Sequence, residues 1–317
     1  ASMLTITPAA TQEPAEVEAY PNRAVRIIVP FPAGGPTDIL GRVIAQRLSE
    51  LWGQPVVVEN QPGANTAIAA ARVAKMPPDG YTLFAVMDVT MVLNPITNKS
   101  LPYDPLKDFA PITLASKNTS LLSVRAQDGP HSVQELIARA KANPGKLNYG
   151  AGIITTRLAG YLFNREAGIE VQYIPFNGSS PTVQGLLTGA VDYIIDGAAT
   201  SLPLIQGGKL RALAKLNSRP LPALPEVRPL AAEAGIPALD DISTWIGLVA
   251  PAGTPRGIVD KIQREVVQMY ADPIIADKLE RAGISTASST PEEFTAFVRK
   301  ELDRWGRVFK DSGIQLN

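Results

Sequence analysis

The residues best suited to chemistry form a glycine-rich loop, 31–38, with the sequence Phe-Pro-Ala-Gly-Gly-Pro-Thr-Asp. Glycines let backbone N–H groups turn towards a ligand, and a helix N-terminus carries partial positive charge. Such a loop can hold an anion without lysine or arginine. Thr37 or Asp38 is a candidate N-cap whose side chain could also reach the ligand. A plain strand-to-helix turn with a cap remains the alternative.

A second loop of the same kind is Tyr149–Arg157. Gly150 and Gly152 open the loop, and a helix is predicted to begin near Thr156. The loop resembles the start of the dinucleotide fingerprint GxGxxG, but a threonine stands where its third small residue should be. The acidic residue that follows twenty positions later precedes a strand instead of following one. Nucleotide binding is therefore disfavoured.

Arg157 lies in the first turn of that predicted helix. If the two loops face one cleft, its guanidinium could bind a carboxylate with two hydrogen bonds. The alternative is an exposed arginine, although a cation near a helix N-terminus opposes the helix dipole.

Three further segments follow predicted strands and could line the same cleft: Met87–Thr90, Phe176–Ser179 and Asp196–Ala198. In open α/β sheets ligands bind beyond the carboxyl ends of strands. The apolar residues among them fit an apolar cleft wall or, more commonly, a core. Asp88 and Asp196 could bind a cationic group, but capping a turn is the more common role of each.

Composition excludes several classes of site. The 317 residues include no cysteine, one histidine, and equal numbers of basic and acidic residues, 30 each. Disulfides, thiolate metal sites and a cysteine nucleophile are excluded, and a multi-histidine metal site is too. A net charge of zero gives no reason to expect nucleic acid. We find no GxSxG, SxxK or HExxH motif, and His131 is expected at an exposed helix cap.

The elements that must position these loops alternate regularly. Short β-branched runs at 25–31, 54–59 and 81–86 are separated by helical patterns and Gly/Pro turns. This βαβαβ alternation predicts a parallel, doubly wound sheet. A second unit of the same type begins near Leu121, and the chain ends in two long helical patterns. The length also predicts two domains.

Five ordered motifs resemble one known family. They are Arg26-Ile-Ile-Val-Pro-Phe-Pro-Ala-Gly-Gly-Pro-Thr-Asp, Val58-Glu-Asn-Gln-Pro-Gly-Ala, Pro78-Asp-Gly-Tyr-Thr-Leu, Leu210-Arg-Ala-Leu-Ala and Trp245-Ile-Gly-Leu-Val-Ala-Pro-Ala-Gly-Thr-Pro. Together they resemble the Bug-type solute receptors of tripartite tricarboxylate transporters. The resemblance runs from Pro21 to Asn317.

The resemblance implies a two-lobed α/β periplasmic binding protein of the Venus flytrap type, type II-like, each lobe a mostly parallel sheet flanked by helices. Residues 21–120 plus 242–317 are expected to form domain 1, and 121–241 domain 2. Residues 1–20 are expected to be a flexible lead-in. Closure would be a hinge motion near 121–124 and 213–215. The expected location is the periplasm, with the signal peptide already removed, and the expected state is a monomer.

The family binds a carboxylate between the first strand–helix loop and the glycine loop of the second domain, often through waters. Carried over to this chain and joined to the strand ends above, this gives the candidate ligand-binding residues Phe31, Ala33, Gly34, Gly35, Thr37, Asp38, Met87, Asp88, Thr90, Gly150, Gly152, Ile154, Thr155, Thr156, Arg157, Phe176, Asn177 and Asp196. No catalytic residue, cofactor or metal is expected.

The chain departs from the family pattern at two histidines. The family commonly has one where Arg157 stands and another in a Thr-His pair near Met87–Met91. We hypothesise that Arg157 engages a charged end of the ligand and favours a dicarboxylate. The methionines suggest an aromatic or medium aliphatic middle.

The expected partners are a small organic carboxylate and the membrane subunits of a tripartite tricarboxylate transporter. A carboxylate sensor for a membrane receptor and an enzyme acting on a carboxylic acid are the alternatives.

Overall fold

The computed structural model describes residues 19–240 and 242–312. The strands are β1 (Val25–Val29), β2 (Val56–Asn60), β3 (Thr82–Met87), β4 (Phe109–Asn118), β5 (Ser120–Arg125), β6 (Asn148–Ala151), β7 (Gln172–Pro175), β8 (Tyr193–Gly197), β9 (Leu210–Lys215) and β10 (Thr244–Pro251). The α-helices are α1 (Pro36–Trp52), α2 (Ala67–Val73), α3 (Asn94–Thr97), α4 (Val133–Ala142), α5 (Ile154–Ala167), α6 (Ser179–Leu187), α7 (Ala198–Gln206), α8 (Leu230–Ala234), α9 (Arg256–Met269), α10 (Pro273–Arg281) and α11 (Pro291–Ser312).

The first sheet has the order β2-β1-β3-β10-β4. Strands β1, β2 and β3 are parallel, as the βαβαβ pattern predicts, and β10 runs antiparallel to both of its neighbours. Every residue of β3 and β10 is buried, because helices cover both faces of a largely parallel sheet. The reversed direction of β10 brings its amino end, Thr244, to the carboxyl end of β3.

The second sheet has the same design, with the order β7-β6-β8-β5-β9. Here β6, β7 and β8 are parallel and β5 is the reversed strand. We call the first sheet with its helices the first lobe, and the second sheet with its helices the second lobe. In each lobe four of five strands point one way, which agrees with the predicted fold class.

Two chain crossings join the lobes. A single residue, Thr119, separates β4 of the first sheet from β5 of the second. The Thr119 hydroxyl donates to Asn217 Oδ1 at 3.0 Å, and Asn217 lies on the return segment between β9 and β10. The domain boundaries and the hinge describe how the lobes move relative to each other. They therefore stay predictions.

Three details differ from the sequence-based expectations. Strand β4 was not expected, because its segment contains Pro111; proline is tolerated there because β4 is an edge strand. Helix α10 lies between the two predicted C-terminal helices. Of the predicted lead-in, residues 1–18 lie outside the described residues, whereas Tyr20 is buried and its hydroxyl donates to Gly80 O at 2.7 Å.

Candidate functional site

The loop after β1 is held by one buried carboxylate. Asp38 Oδ2 accepts hydrogen bonds from Gly34 N and Arg42 Nε, each at 2.9 Å. Asn60 Nδ2 donates to Asp38 Oδ1 at 2.9 Å and to Phe31 O at 3.0 Å. Burial raises the pKa of Asp38, but these hydrogen bonds together outweigh it and lower the pKa below its usual value. The carboxylate therefore stays ionised and fixes the shape of the loop.

This geometry corrects the predicted cap. Helix α1 begins at Pro36 with Gly35 as its N-cap, and no side chain caps it. Proline suits this first position because its missing N–H would have no helical partner there. Thr37 is instead the second helical residue, and its hydroxyl donates to Met87 Sδ at 3.1 Å. The Asp38 carboxylate accepts a hydrogen bond from Gly34 N, in the loop that precedes the helix.

The loop after β6 depends on close backbone packing. A Cβ on Gly152 would lie 2.3 Å from Gly178 O, so only glycine fits. Gly178 N donates to Gly152 O at 3.0 Å, which joins this loop to the loop after β7. Helix α5 then begins at Ile154, and its N-cap Ile153 has no side-chain acceptor to offer.

The loop after β1 touches the loop after β7, and it shares two cavities with Gly152 and Ile153 of the loop after β6. The Ser180 hydroxyl donates weakly to Ala33 O at 3.3 Å, and a Cβ on Gly178 would lie 3.2 Å from Pro32 Cδ. Deeper in the cleft, the Thr155 hydroxyl of the second lobe donates to Asp88 Oδ2 of the first lobe. Both of these side chains are buried.

Two small cavities lie between the lobes, each of about 20 Å³ and each lined by Phe31 and Pro32. A volume of this size holds about one water molecule. The first cavity is lined by Phe31, Pro32, Gly35, Pro36, Thr37, Met87, Ile153, Ser179, Gly197 and Thr244. The second is lined by Pro30, Phe31, Pro32, Pro62, Gly63, Asn65, Thr66, Gly152, Asn177 and Gly178. Backbone groups, hydroxyls and amides line them, together with apolar side chains, and no lysine or arginine does.

Two buried carboxyl groups stand at the ends of strands, one in each lobe. Asp88 follows β3 and Asp196 ends β8, and each is 1% exposed. Burial raises the pKa of each to about 7. Hydrogen bonds from Thr155 and Ser179 oppose these shifts only in part. Asp88 Oδ1 and Asp196 Oδ2 have no hydrogen-bond partner among the described residues.

The structure brings together many of the predicted site residues. Those that line the cavities or touch the opposite lobe are Phe31, Ala33, Gly34, Gly35, Thr37, Met87, Asp88, Gly152, Thr155 and Asn177. Asp196 lies directly before the cavity residue Gly197. Thr90 bonds to Thr66 at 2.9 Å and so supports the wall of the second cavity.

Other predicted residues face the interior of the second lobe. Phe176 packs between Gly150 and Gly185, where a Cβ on either glycine would lie 3.1 Å or less from its ring. Ile154 belongs to the core, and the Thr156 hydroxyl bonds to its own helix at Ile153 O. Phe176 and the Thr156 hydroxyl thus contact their own lobe, and the expectation that these residues line the cleft stays a prediction.

Arg157 lies apart from the cleft residues. Its guanidinium carbon is 4.8 Å from the centre of the Tyr173 ring, a cation–π distance. It lines an open groove of about 570 Å³ between α5 and the edge strand β7, together with Tyr161, Arg165 and Glu170. The Arg157 side chain lies over Tyr173, whereas Thr155 faces Asp88, and the hypothesis that Arg157 engages a charged end of the ligand stays a prediction.

Some cleft residues were not predicted from the sequence. Ser179 lies in the expected segment Phe176–Ser179, but Ser180, the next residue of α6, was not predicted, although Gly178-Ser-Ser repeats the glycine-plus-hydroxyl signal of the other loops. Thr244 was missed because strand carboxyl ends were searched, whereas β10 reaches the cleft with its amino end. Residues Ala64, Asn65 and Thr66 have positive φ values of 45°, 49° and 75°, which place strained backbone at the second cavity.

Within residues 19–240 and 242–312, no three His, Cys, Asp or Glu side chains are grouped as metal ligands would be. Over the same residues, the helices are too short or too polar to cross a membrane. His131 is exposed, as expected, but the N-cap of α4 is its neighbour Ser132.

Residues 40–314 match the TctC family, described as the tripartite tricarboxylate transporter family receptor. The chain belongs to this family. It is 35% identical to a UPF0065 protein from the tcbD–tcbE intergenic region of Pseudomonas sp. strain P51, over 95% of this chain and 90% of that protein. It is 33% identical to the protein BugT of Bordetella pertussis, over 98% of this chain and 96% of BugT. The resemblance to Bug-type receptors is thereby confirmed.

Solved structures of TctC-type proteins share the fold. The R. palustris protein Rpa4515 with adipate superposes with a TM-score of 0.88 at 35% identity, covering 93% of this chain and 99% of that one. MatC (Rpa3494) from Rhodopseudomonas palustris with bound malate gives 0.83 at 32% identity, covering 91% and 99%. The protein is thus a solute-binding protein of the TctC family, a family of periplasmic receptors.

Proposed function

We propose that this TctC-family protein binds a small dicarboxylate between its two lobes and delivers it to the membrane subunits of a tripartite tricarboxylate transporter in the periplasm. The observation that carries the proposal is that two glycine loops, each at the start of a helix, line the same cavities between the lobes. Backbone N–H groups and helix N-termini stabilise carboxylates without a paired cation. The neighbours with adipate and with malate both hold dicarboxylates.

The choice of a dicarboxylate rests on this pairing of loops and no longer on Arg157. One carboxylate is bound at each loop, and the apolar side chains Phe31, Met87 and Ile153 accommodate the carbon chain between them. This arrangement favours an aliphatic or aromatic middle over a strongly polar one. We further propose that residues 21–120 with 242–317 and residues 121–241 move as units about the crossings at Thr119 and Asn217.

A ligand panel tests the proposal. Adipate, malate, and further mono-, di- and tricarboxylates are added to the purified protein, and thermal unfolding and calorimetry are recorded. A ligand at 100 times its dissociation constant adds about 2.7 kcal/mol to the free energy of unfolding. The bound acid should be recovered unchanged, and uptake should require both this protein and the membrane subunits. Conversion of the acid, or binding of no carboxylate, would overturn the proposal.

A matched pair of variants locates the site. A Cβ on Gly197 would lie 3.0 Å from Pro36 Cγ, so Gly197→Leu fills the first cavity and holds the lobes apart. The φ of Gly197 is −57°, which leucine adopts without strain. Gly306→Leu is the control, because a Cβ there meets nothing within 4 Å. We expect Gly197→Leu to weaken dicarboxylate binding at least about 100-fold, with Gly306→Leu unchanged. Equal affinities would place the ligand elsewhere.

A further inference from the structure

The carboxyl group of Asp88 reaches from one lobe to the other. Asp88 follows β3 in the first lobe, and its Oδ2 accepts a hydrogen bond from the hydroxyl of Thr155 in the first turn of α5. Asp88 is 1% exposed and Thr155 is fully buried. A buried hydrogen bond between side chains of the two lobes must break when the cleft opens.

The start of α5 has no capping side chain and no acidic residue of its own. Its N-cap Ile153 has no polar side chain, and its first turn contains no acidic residue. The first N–H groups of a helix have no helical partner and carry partial positive charge. Asp88 therefore supplies from the opposite lobe the negative group that the start of α5 does not have.

Among the residues that the structure describes, no cation compensates the Asp88 carboxyl. Among charged groups Glu301 of α11 acts on it, and this raises its pKa further. Its Oδ1 is buried without a hydrogen-bond partner among the described residues. The interactions that favour the carboxylate come from Thr155 and from backbone N–H groups at Asp88 and Val89. The carboxyl group is therefore held by hydrogen bonds and not by an ion pair.

The loop that begins α5 is also where a ligand carboxylate is proposed to bind. We propose that Asp88 is a built-in carboxylate that occupies the start of α5 and holds the lobes together, so that ligand acids bind only by displacing it. Asp88 is thus an affinity-setting residue of the cleft. This inference rests on the proposed function for its ligand, but the effect of Asp88 on lobe closure does not.

The displacement has a quantitative consequence. We call the closed form that the Asp88–Thr155 hydrogen bond holds together the latched state, and this bond the latch. The apparent affinity is the intrinsic affinity multiplied by the fraction of protein that is not latched. A hydrogen bond to a charged group favours the latched state about 10- to 100-fold. Removing the latch should therefore tighten the binding of every acid at this site by about that factor. The factor should be the same for adipate and for malate, because the cost of releasing Asp88 does not depend on the acid.

Three variants of the full chain test this. Asp88→Ala removes the acceptor, Thr155→Val removes the donor, and Asp88→Asn keeps an acceptor oxygen of the same shape. Small-angle scattering without ligand reports lobe closure, and calorimetry with adipate and malate reports affinity. Thr188→Val is the control for the threonine change, because Thr188 is exposed and bonds only within its own helix. Asp277→Ala on α10 is the control for the aspartate change.

We expect Asp88→Ala and Thr155→Val to enlarge the ligand-free radius of gyration and to tighten both dissociation constants at least about 10-fold. Asp88→Asn should stay closed, and the controls should match the unaltered protein. An unchanged radius in both latch variants, or weaker acid binding in Asp88→Ala, would overturn the inference. If the latch variants open but no carboxylate binds any form, the latch stands and the proposed function fails. Thermal unfolding of each variant confirms that it is folded.

Discussion

The loop Phe31–Asp38 is held by its own lobe, whereas the start of α5 is held across the cleft. Asp38 receives three hydrogen bonds from residues of the first lobe, and its pKa is lowered. Asp88 receives its side-chain hydrogen bond from the second lobe, and burial raises its pKa to about 7. The first loop is therefore organised before any ligand arrives, while the second obtains an anionic partner only when the lobes meet.

The largest expected effect concerns backbone packing in the second loop. Gly152→Ala would place a Cβ 2.3 Å from Gly178 O, so we expect a loss of about 3–5 kcal/mol in the free energy of unfolding. Gly34→Ala in the first loop is the matched change. There φ is +85° and the nearest atom is Ser180 Oγ at 3.3 Å, so about 1 kcal/mol is expected. Urea unfolding of both variants measures the difference, and equal losses would contradict it.

The next effect tests the organisation of the first loop. Asp38→Ala removes three hydrogen bonds to a buried carboxylate, and we expect it to lower the free energy of unfolding by about 2–4 kcal/mol. Ligand affinity should fall as well, because Gly34 and Phe31 are no longer fixed. Urea unfolding and calorimetry with adipate measure the two effects. Asp88→Ala is the counterpart and should tighten binding; a fall in affinity for both variants would remove the contrast between the loops.

The pH dependence of the two kinds of carboxyl has opposite signs. The pKa of Asp196 is raised from 3.8 to about 7 by burial, so the folded protein keeps a proton that the unfolded chain loses above pH 4. Its contribution to stability therefore declines from about pH 4 to pH 7. The pKa of Asp38 is lowered instead, so its ionised carboxylate stabilises the fold at pH values above its ordinary pKa. This stabilisation is lost in acid, when the carboxylate takes up a proton.

Asp196→Asn should therefore raise the free energy of unfolding at pH 8 by about 1–3 kcal/mol and leave it unchanged at pH 4. Urea unfolding at the two pH values measures this. In the described part of the chain, the Asp196 pKa shift comes from burial and hydrogen bonds and not from a charged side chain, so the variant tests burial alone. A stabilisation of equal size at both pH values would show that the carboxyl is not the cause.

The smallest expected effect concerns Arg157. Its guanidinium lies over Tyr173 in the outer groove, so Arg157→Ala should leave dicarboxylate affinity within about twofold and cost about 0.5–1 kcal/mol of stability. Arg165→Ala, from the same groove, is the matched control. Calorimetry with a dicarboxylate measures the affinity of both variants. A loss of affinity in Arg157→Ala alone would show that Arg157 contacts the ligand.

Much of the fold followed from local patterns. The β-branched runs and the Gly/Pro turns predicted the order of strands and helices because each element was long and regular enough to show its period. Strand β4 was missed because a proline in a strand normally argues against one, and only the edge position of β4 permits Pro111.

The site was predictable where backbone geometry defines it and not where side-chain direction does. The glycine loops could be predicted from their composition alone. The direction of Arg157 depends on the rotation of α5 against its sheet, which the sequence does not show. The contact between Asp88 and Thr155 joins residues 67 positions apart through the approach of two lobes, and no local pattern encodes it.

The reversed strand β10 also places an optical probe at the cleft. Trp245 follows the cavity residue Thr244, is fully buried, and packs edge-on against Phe294 and Phe297. Its indole N–H has no partner among the described residues. Because indole emission shifts to the red when water approaches, the contribution of Trp245 to the intrinsic fluorescence should report opening and closing in real time.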